Sequence, residues 1–360
     1  MPRDAVAVVG ASGVMGRELV SAALDAGYDV RACVREGSDV SALEAKGGAR
    51  LTVHRSPSGL PPPAALAVAA VLCAVAGRAN RTCSTPAMRA VEVDLPISLY
   101  RACCASSPPP ARAVFFTPAL GALAAARGGG GAPPASEYLT AKEDMVRGLR
   151  AAEAAAASGG GGGGGAPSPR VTIVQVAAWG RDVGPIVAAA AAAPPWLPAL
   201  PIPILVPGWW PSLRHCRLPR LAPLAEADLA ARVVRGLGSA PDGGATLCLG
   251  GPEPVTHAQL WGAALAGLGR GDVRLLALPL PAAAVRAAAR SPALTWLAAR
   301  SGRPALRAGL YLARIAADAA GADLVGEEAV EGAAGVADIV RAEVARVRGG
   351  SGQGDDAEGE

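Results

Sequence analysis

Residues 5–10, AVAVVG, form an unbroken apolar run that stops at a glycine. Positions 17–28, RELVSAALDAGY, then return hydrophobic residues at helical spacing, and 29–36, DVRACVRE, alternate apolar with polar. Strand, glycine turn, helix and strand in such quick succession describe a βαβ unit, which builds a parallel sheet. The pattern predicts further strands at 49–54, 69–77, 111–119, 170–177 and 246–251, with helices at 85–105, 137–157, 225–238 and 256–268. This alternation implies an α/β chain with a Rossmann-type doubly wound parallel sheet. Two glycine-rich stretches, 126–136 and 158–169, lack side chains with which to build a core and read as flexible loops bracketing the helix 137–157. Residues 192–223 are rich in proline and read as a non-repetitive excursion.

The turn after the first strand reads GASGVMG. Gly10 permits a tight exit from the strand, Gly13 lets backbone approach a pyrophosphate, and Gly16 lets the helix pack close to the sheet. The amides that open the helix, together with its dipole, would face the phosphates. Gly10, Ser12, Gly13, Val14, Met15 and Gly16 are therefore the expected dinucleotide-binding turn. The end of the second strand should distinguish the two nicotinamide cofactors, since an acidic residue there holds a ribose hydroxyl and an arginine accommodates a 2′-phosphate. Arg35 stands at that place and favours NADPH, while Glu36 beside it keeps NADH open.

Composition changes this picture little. The 360 residues are 51% hydrophobic and 18% charged, long enough for one large domain or two modest ones. A net charge of +4 with scattered arginines gives no reason to propose a nucleic-acid surface. The cysteines (33, 73, 83, 103, 104, 216 and 248) form no CxxC pair and no metal-ligand spacing with the histidines, so they are expected to be buried apolar groups in a reducing compartment. No secretory leader or membrane span is expected, and the chain reads as soluble, cytoplasmic or organellar. The acidic, glycine-rich residues 348–360 are expected to be disordered. The implied division is a cofactor domain over 1–200, a smaller C-terminal substrate-side lobe over 201–347, and the tail.

Of the 34 Lys and Arg residues, Lys46 and Lys142 are the lysines, and Lys142 falls four positions after Tyr138 in EYLTAKE. Lysine, unlike arginine, can release its proton or act as a compact point charge. At helical spacing both side chains lie on one face. From the residues alone the pair is either an active-site couple or a coincidence.

The G-x-x-G-x-x-G spacing of GASGVMGRELV resembles the opening of the extended and atypical short-chain dehydrogenase/reductase superfamily, and EYLTAKE matches its Y-x-x-x-K. VTIVQVAAWGRDVG, LAPLAEADLAARVVRGL and LCLGGPEPVTHAQLW are similar to segments of NmrA-like NAD(P)-binding members. The resemblance implies an oxidoreductase that passes a hydride to a carbonyl or activated double bond of a small molecule. It makes Tyr138 the general acid and Lys142 its partner, since an ammonium favours phenolate and lowers a tyrosine pKa ordinarily near about 10. Lys142 would also hydrogen-bond the nicotinamide ribose. Where relatives carry a serine at the end of the preceding strand, Thr117 is the candidate hydroxyl here. Where they carry Arg-Pro after the sixth strand, this chain has Gln175 and Val176. Two other readings stand beside this one: a protein that binds NAD(P)H without turnover, as a redox sensor or an accessory subunit, and an epimerase using the same pair. Substrate and oligomeric state are not specified by the sequence.

Overall fold

The computed structural model describes residues 5–75, 85–126, 137–159, 168–192, 199–206, 220–238, 245–281 and 324–349, with four isolated positions between 284 and 293. β1 (Ala5–Val9) leads through the glycine turn into α1 (Val14–Asp25), followed by β2 (Asp29–Arg35), α2 (Ser41–Gly47), β3 (Leu51–Ser56), α3 (Pro63–Leu66) and β4 (Ala70–Cys73). Next come α4 (Thr85–Arg89), a π-helical turn (Ala90–Asp94) and α5 (Leu95–Ala105), running on without a break. β5 (Arg112–Pro118), α6 (Leu120–Ala126), α7 (Glu137–Gly159) and β6 (Arg170–Val176) complete the first half. The second half holds β7 (Ala178–Trp179), α8 (Gly184–Ala192), β8 (Ala199–Val206), β9 (Arg220–Leu221), β10 (Pro223–Leu224) and α9 (Glu226–Arg235). β11 (Thr246–Gly250), β12 (Val255–Thr256), α10 (His257–Gly267), β13 (Arg274–Pro281), β14 (Glu328–Ala329) and α11 (Val336–Gly349) follow.

Eight strands form one sheet in the order β14-β11-β6-β5-β4-β1-β2-β3, and every neighbouring pair is parallel. Helices cover both faces, which is why the strands read as continuous apolar runs. On one face Val6, Val8, Leu72, Val114, Phe116 and Val174 pack against Leu19, Val20 and Ala23 of α1 and Leu229, Ala230 and Val233 of α9. On the other, Val9, Val71, Phe115 and Ile173 meet Leu99 and Tyr100 of α5 and Met145 and Leu149 of α7. Complete burial of such a Val, Leu or Phe is worth about 1.5–3 kcal/mol relative to leaving it in water. A separate apolar cluster joins Val187, Leu260, Leu265, Ile339 and Val340 of α8, α10 and α11.

The structure departs from the sequence pattern in four places. The third strand begins two residues later than expected, at Leu51, because Gly48 turns the chain at φ +52. The fourth is shorter, ending at Cys73. A strand that the pattern does not predict, β14, pairs with β11 at one edge of the sheet. Residues 192–223 are not uniformly irregular: β8 pairs in parallel with β13 from Ala199↔Arg274 to Val206↔Pro281. Among the described residues no helix is long and apolar enough to cross a membrane. The bulk of both glycine-rich stretches, Trp209, Trp210, His215 and the tail from 350 lie outside the described residues.

Candidate functional site

The strand order reverses between β1 and β4, which is where doubly wound sheets bind ligands beyond the carboxyl ends of their strands. Gly10 turns out of β1 at φ +82, and its amide donates to the Cys33 carbonyl at 3.0 Å. A Cβ at Gly10 would lie 3.1 Å from the Val75 backbone nitrogen just beyond β4. A Cβ at Gly16 would lie 2.1 Å from the Gly10 carbonyl oxygen, so α1 packs against the turn at a distance that only glycine allows. Gly13 caps α1 with no side chain bonding the first-turn amides, and that turn carries no carboxylate. Uncapped amides at a helix N-terminus suit an anion. Val14 at this mouth is 52% exposed, Ser12 is half-buried and Gly13 is exposed, so the turn is open to solvent. Arg35 and Glu36 are both exposed at the end of β2.

The second part of the site is built by α7. Its inward stripe, with Tyr138, Ala141, Lys142, Met145 and Leu149, follows the spacing of one helical face. Lys142 is 4% exposed; its Nζ lies 3.5 Å from the Phe116 carbonyl oxygen and 5.7 Å from the centre of the Tyr138 ring. Its ionic partner is Glu92, a fully buried carboxylate whose Oε2 lies 2.6 Å from Nζ. Thr117, next along β5, is 1% exposed and its Oγ1 has no hydrogen-bond partner. By strand alternation it shares the face of Phe115, the face covered by α7. Cys73 ends β4 on the same face. Burial pushes its thiol up to about 11, against a hydrogen bond from Val75 and the charge of Lys142.

No protein-family model and no curated protein matches the chain. Solved structures do share its fold. It superposes on AtPrR2 with NADP+ and (+)pinoresinol at a TM-score of 0.63, with 15% identity over 96% of this chain and 100% of that one. UDP-N-acetylglucosamine 4-epimerase from Bacillus cereus gives 0.53, with 12% identity over 96% and 99%. The Bordetella bronchiseptica enzyme WbmG in complex with NAD gives 0.54, with 14% identity over 77% and 82%. The chain has the Rossmann-type fold of these structures.

Within this Rossmann fold the expected residues fall into two groups. Gly10, Ser12, Gly13, Val14, Met15 and Gly16 form the β1–α1 turn, with Arg35 at the neighbouring strand end. Tyr138 and Lys142 sit on α7, with Lys142 reaching the Phe116 carbonyl on β5, and Thr117 is the next residue of that strand. His54 lies in β3, and His257 opens α10 beside its capping residue Thr256, with its ring edge-on to Trp261. Sequence reasoning missed Glu92. The signal that could have found it was Pro96 inside an otherwise helical stretch. Proline has no amide to give the carbonyl four residues back, which is that of Glu92, and its ring crowds that carbonyl. The helix answers with a π turn, in which the Leu95 amide reaches the Ala90 carbonyl. Glu92 and Val93, consecutive residues, are both buried by it.

Proposed function

We propose that the chain is an NAD(P)H-dependent oxidoreductase that reduces a carbonyl or activated double bond of a small molecule. The observation that carries this reading is Lys142 of α7, whose Nζ lies 5.7 Å from the Tyr138 ring and 3.5 Å from the carbonyl of Phe116, the residue before the unpartnered Thr117 hydroxyl on β5. Gly10, Ser12, Gly13, Val14, Met15 and Gly16 would hold the pyrophosphate on uncapped amides, and the structural neighbours that carry NADP+ or NAD support a dinucleotide there. Arg35 would clamp a 2′-phosphate and so favour NADPH, with NADH served by Glu36. When bound, the reduced nicotinamide supplies hydride. Tyr138 then gives its phenolic proton to the oxygen of a carbonyl reduced at its carbon, or to the enolate oxygen left by hydride addition to an activated double bond, and solvent restores the proton. Thr117 donates its free hydroxyl to the same oxygen and orients it. Lys142 fixes the α7 side of the site. Lys142 is 4% exposed, so its ammonium is largely kept from water.

A second reading, a binder without turnover, is favoured by one feature: the charge of Lys142 is already compensated by Glu92 at 2.6 Å. Titrating the wild type and Tyr138→Phe with NADPH and NADH, then adding a panel of small aldehydes, ketones and enones, separates the two. The enzyme reading expects both proteins to bind cofactor and only the wild type to oxidise it when a substrate is present. Binding with no oxidation across the panel supports the passive binder. No binding of either dinucleotide overturns both.

A further inference from the structure

Glu92 is a carboxylate with no exposure to water, reached by a π turn that Pro96 imposes, and its charge lies against that of Lys142. A pair this deep is costly to desolvate and is not explained by stability, because apolar residues of similar volume serve a core as well or better. Its position suggests a use. The ammonium that Glu92 holds is the one 5.7 Å from the Tyr138 ring. A lone ammonium at that distance favours phenolate strongly, whereas an ammonium closed by a carboxylate acts toward Tyr138 as a dipole, whose effect falls off much faster.

We propose that Glu92 is a positioning residue that fixes Lys142 below the end of β5 and offsets its charge, so that Tyr138 remains a protonated phenol able to donate. This rests on the reading of Tyr138 as the proton donor. Several groups face the pair and Tyr138. From β4 comes the Cys73 thiol, neutral at ordinary pH, and from β5 the Phe116 carbonyl and the Thr117 hydroxyl. From the helix of Glu92, Met88, Val93 and Ile97 are apolar, while Arg89 is engaged with Asp144 of α7 at 2.6 Å. From α6, Leu120 and Leu123 pack beside Tyr138, and on α7 itself Glu137 and Glu143 flank it in sequence.

The test is a spectroscopic tyrosinate titration of Tyr138, taken as the difference between each protein and its Tyr138→Phe counterpart, which removes the signals of Tyr28, Tyr100 and Tyr311. In Glu92→Gln, which keeps shape and removes charge, the Tyr138 midpoint falls by about one to two pH units. In Glu92→Asp, which keeps the charge but draws it back by a methylene, the fall is smaller and of the same sign. A folded Glu92→Gln whose midpoint is unmoved or raised overturns the proposal. Should Glu92→Gln fail to fold, Glu92→Asp is read in the same way, and an unmoved midpoint there overturns it. A purely structural role would lower the denaturation midpoint and leave the tyrosinate midpoint in place. NADPH titration of the same proteins keeps the two readings apart: absence of cofactor binding rejects the oxidoreductase while leaving the tyrosinate result to be judged on its own.

Discussion

Gly16→Ala exposes the physics of the cofactor turn. Within a helix this substitution ordinarily stabilises by about 1 kcal/mol, because alanine restricts the unfolded chain and suits the helix better. Gly262, in α10 with nothing within 4 Å of where a methyl group would sit, should show that gain in full as Gly262→Ala. Gly16 cannot. Its Cβ would sit 2.1 Å from the Gly10 carbonyl oxygen and 2.8 Å from the Ala11 Cα, against ordinary contacts from 3.4 Å upward. The obstacle is backbone on a turn pinned by the Gly10 amide to β2, so α1 or the turn must move by about an ångström. Overpacking costs about 1–3 kcal/mol, and more where backbone has to yield. Set against the propensity gain, the net effect is a loss of about 2 kcal/mol. The same movement drags the first-turn amides away from the phosphates and weakens NADPH binding by at least about tenfold, or about 1.4 kcal/mol. Urea denaturation of Gly16→Ala, Gly262→Ala and wild type, followed by NADPH titration, checks both parts. A Gly16→Ala protein as stable as wild type that binds NADPH equally well would refute the close packing of α1 on its turn.

Three further outcomes are expected. Lys142→Met leaves Glu92 as an unpaired buried charge and lowers stability by about 3–5 kcal/mol, while the double variant Lys142→Met/Glu92→Met recovers most of it; a double variant no better than the single would contradict the direct pairing. Arg35→Ala weakens NADPH by about tenfold and leaves NADH unchanged, as read by isothermal titration, because only the 2′-phosphate loses a charge-assisted hydrogen bond. Stability falls in alkali. Burial raises Cys73 to about 11 and Cys33 to about 12 in the folded chain, so both thiols stay protonated there while the unfolded chain loses its protons from about pH 9. Their contribution is complete below pH 9 and is lost as pH climbs through the folded values, at up to about 1.4 kcal/mol per pH unit for each group. A Cys33→Ala/Cys73→Ala protein should show a flatter decline in urea midpoint between pH 9 and 12, and an unchanged slope would count against those burials.

The ion pair and the glycine turn place different demands on the chain. At the turn, stability and binding share one cause, the close approach of α1 to Gly10, and a single methyl disturbs both. At Lys142 they diverge: the core would accept apolar residues there, and the charges are proposed to act on Tyr138.

By itself the sequence determined the elements whose cause is local. β1, the glycine turn, α1 and β2 were legible because apolar periodicity and glycine spacing are short-range facts, and a parallel sheet follows from the alternation of strands with helices. Tyr138 and Lys142 were legible for the same reason, lying one turn apart on one helix. Tertiary structure alone decided the rest. β8 carries Pro201 and Pro203, which speak against a strand, yet it pairs along its length with β13, and a two-stranded pair leaves every second amide of a strand turned away from the partner, where a proline is tolerated. β14 becomes a strand only where it meets β11. Glu92 carries no signal of its own in the sequence; the π turn ahead of Pro96 buries it against Lys142. The physical reason is common to all three: a long-range partner supplies the free energy, and nothing in the local spacing of residues records where that partner is.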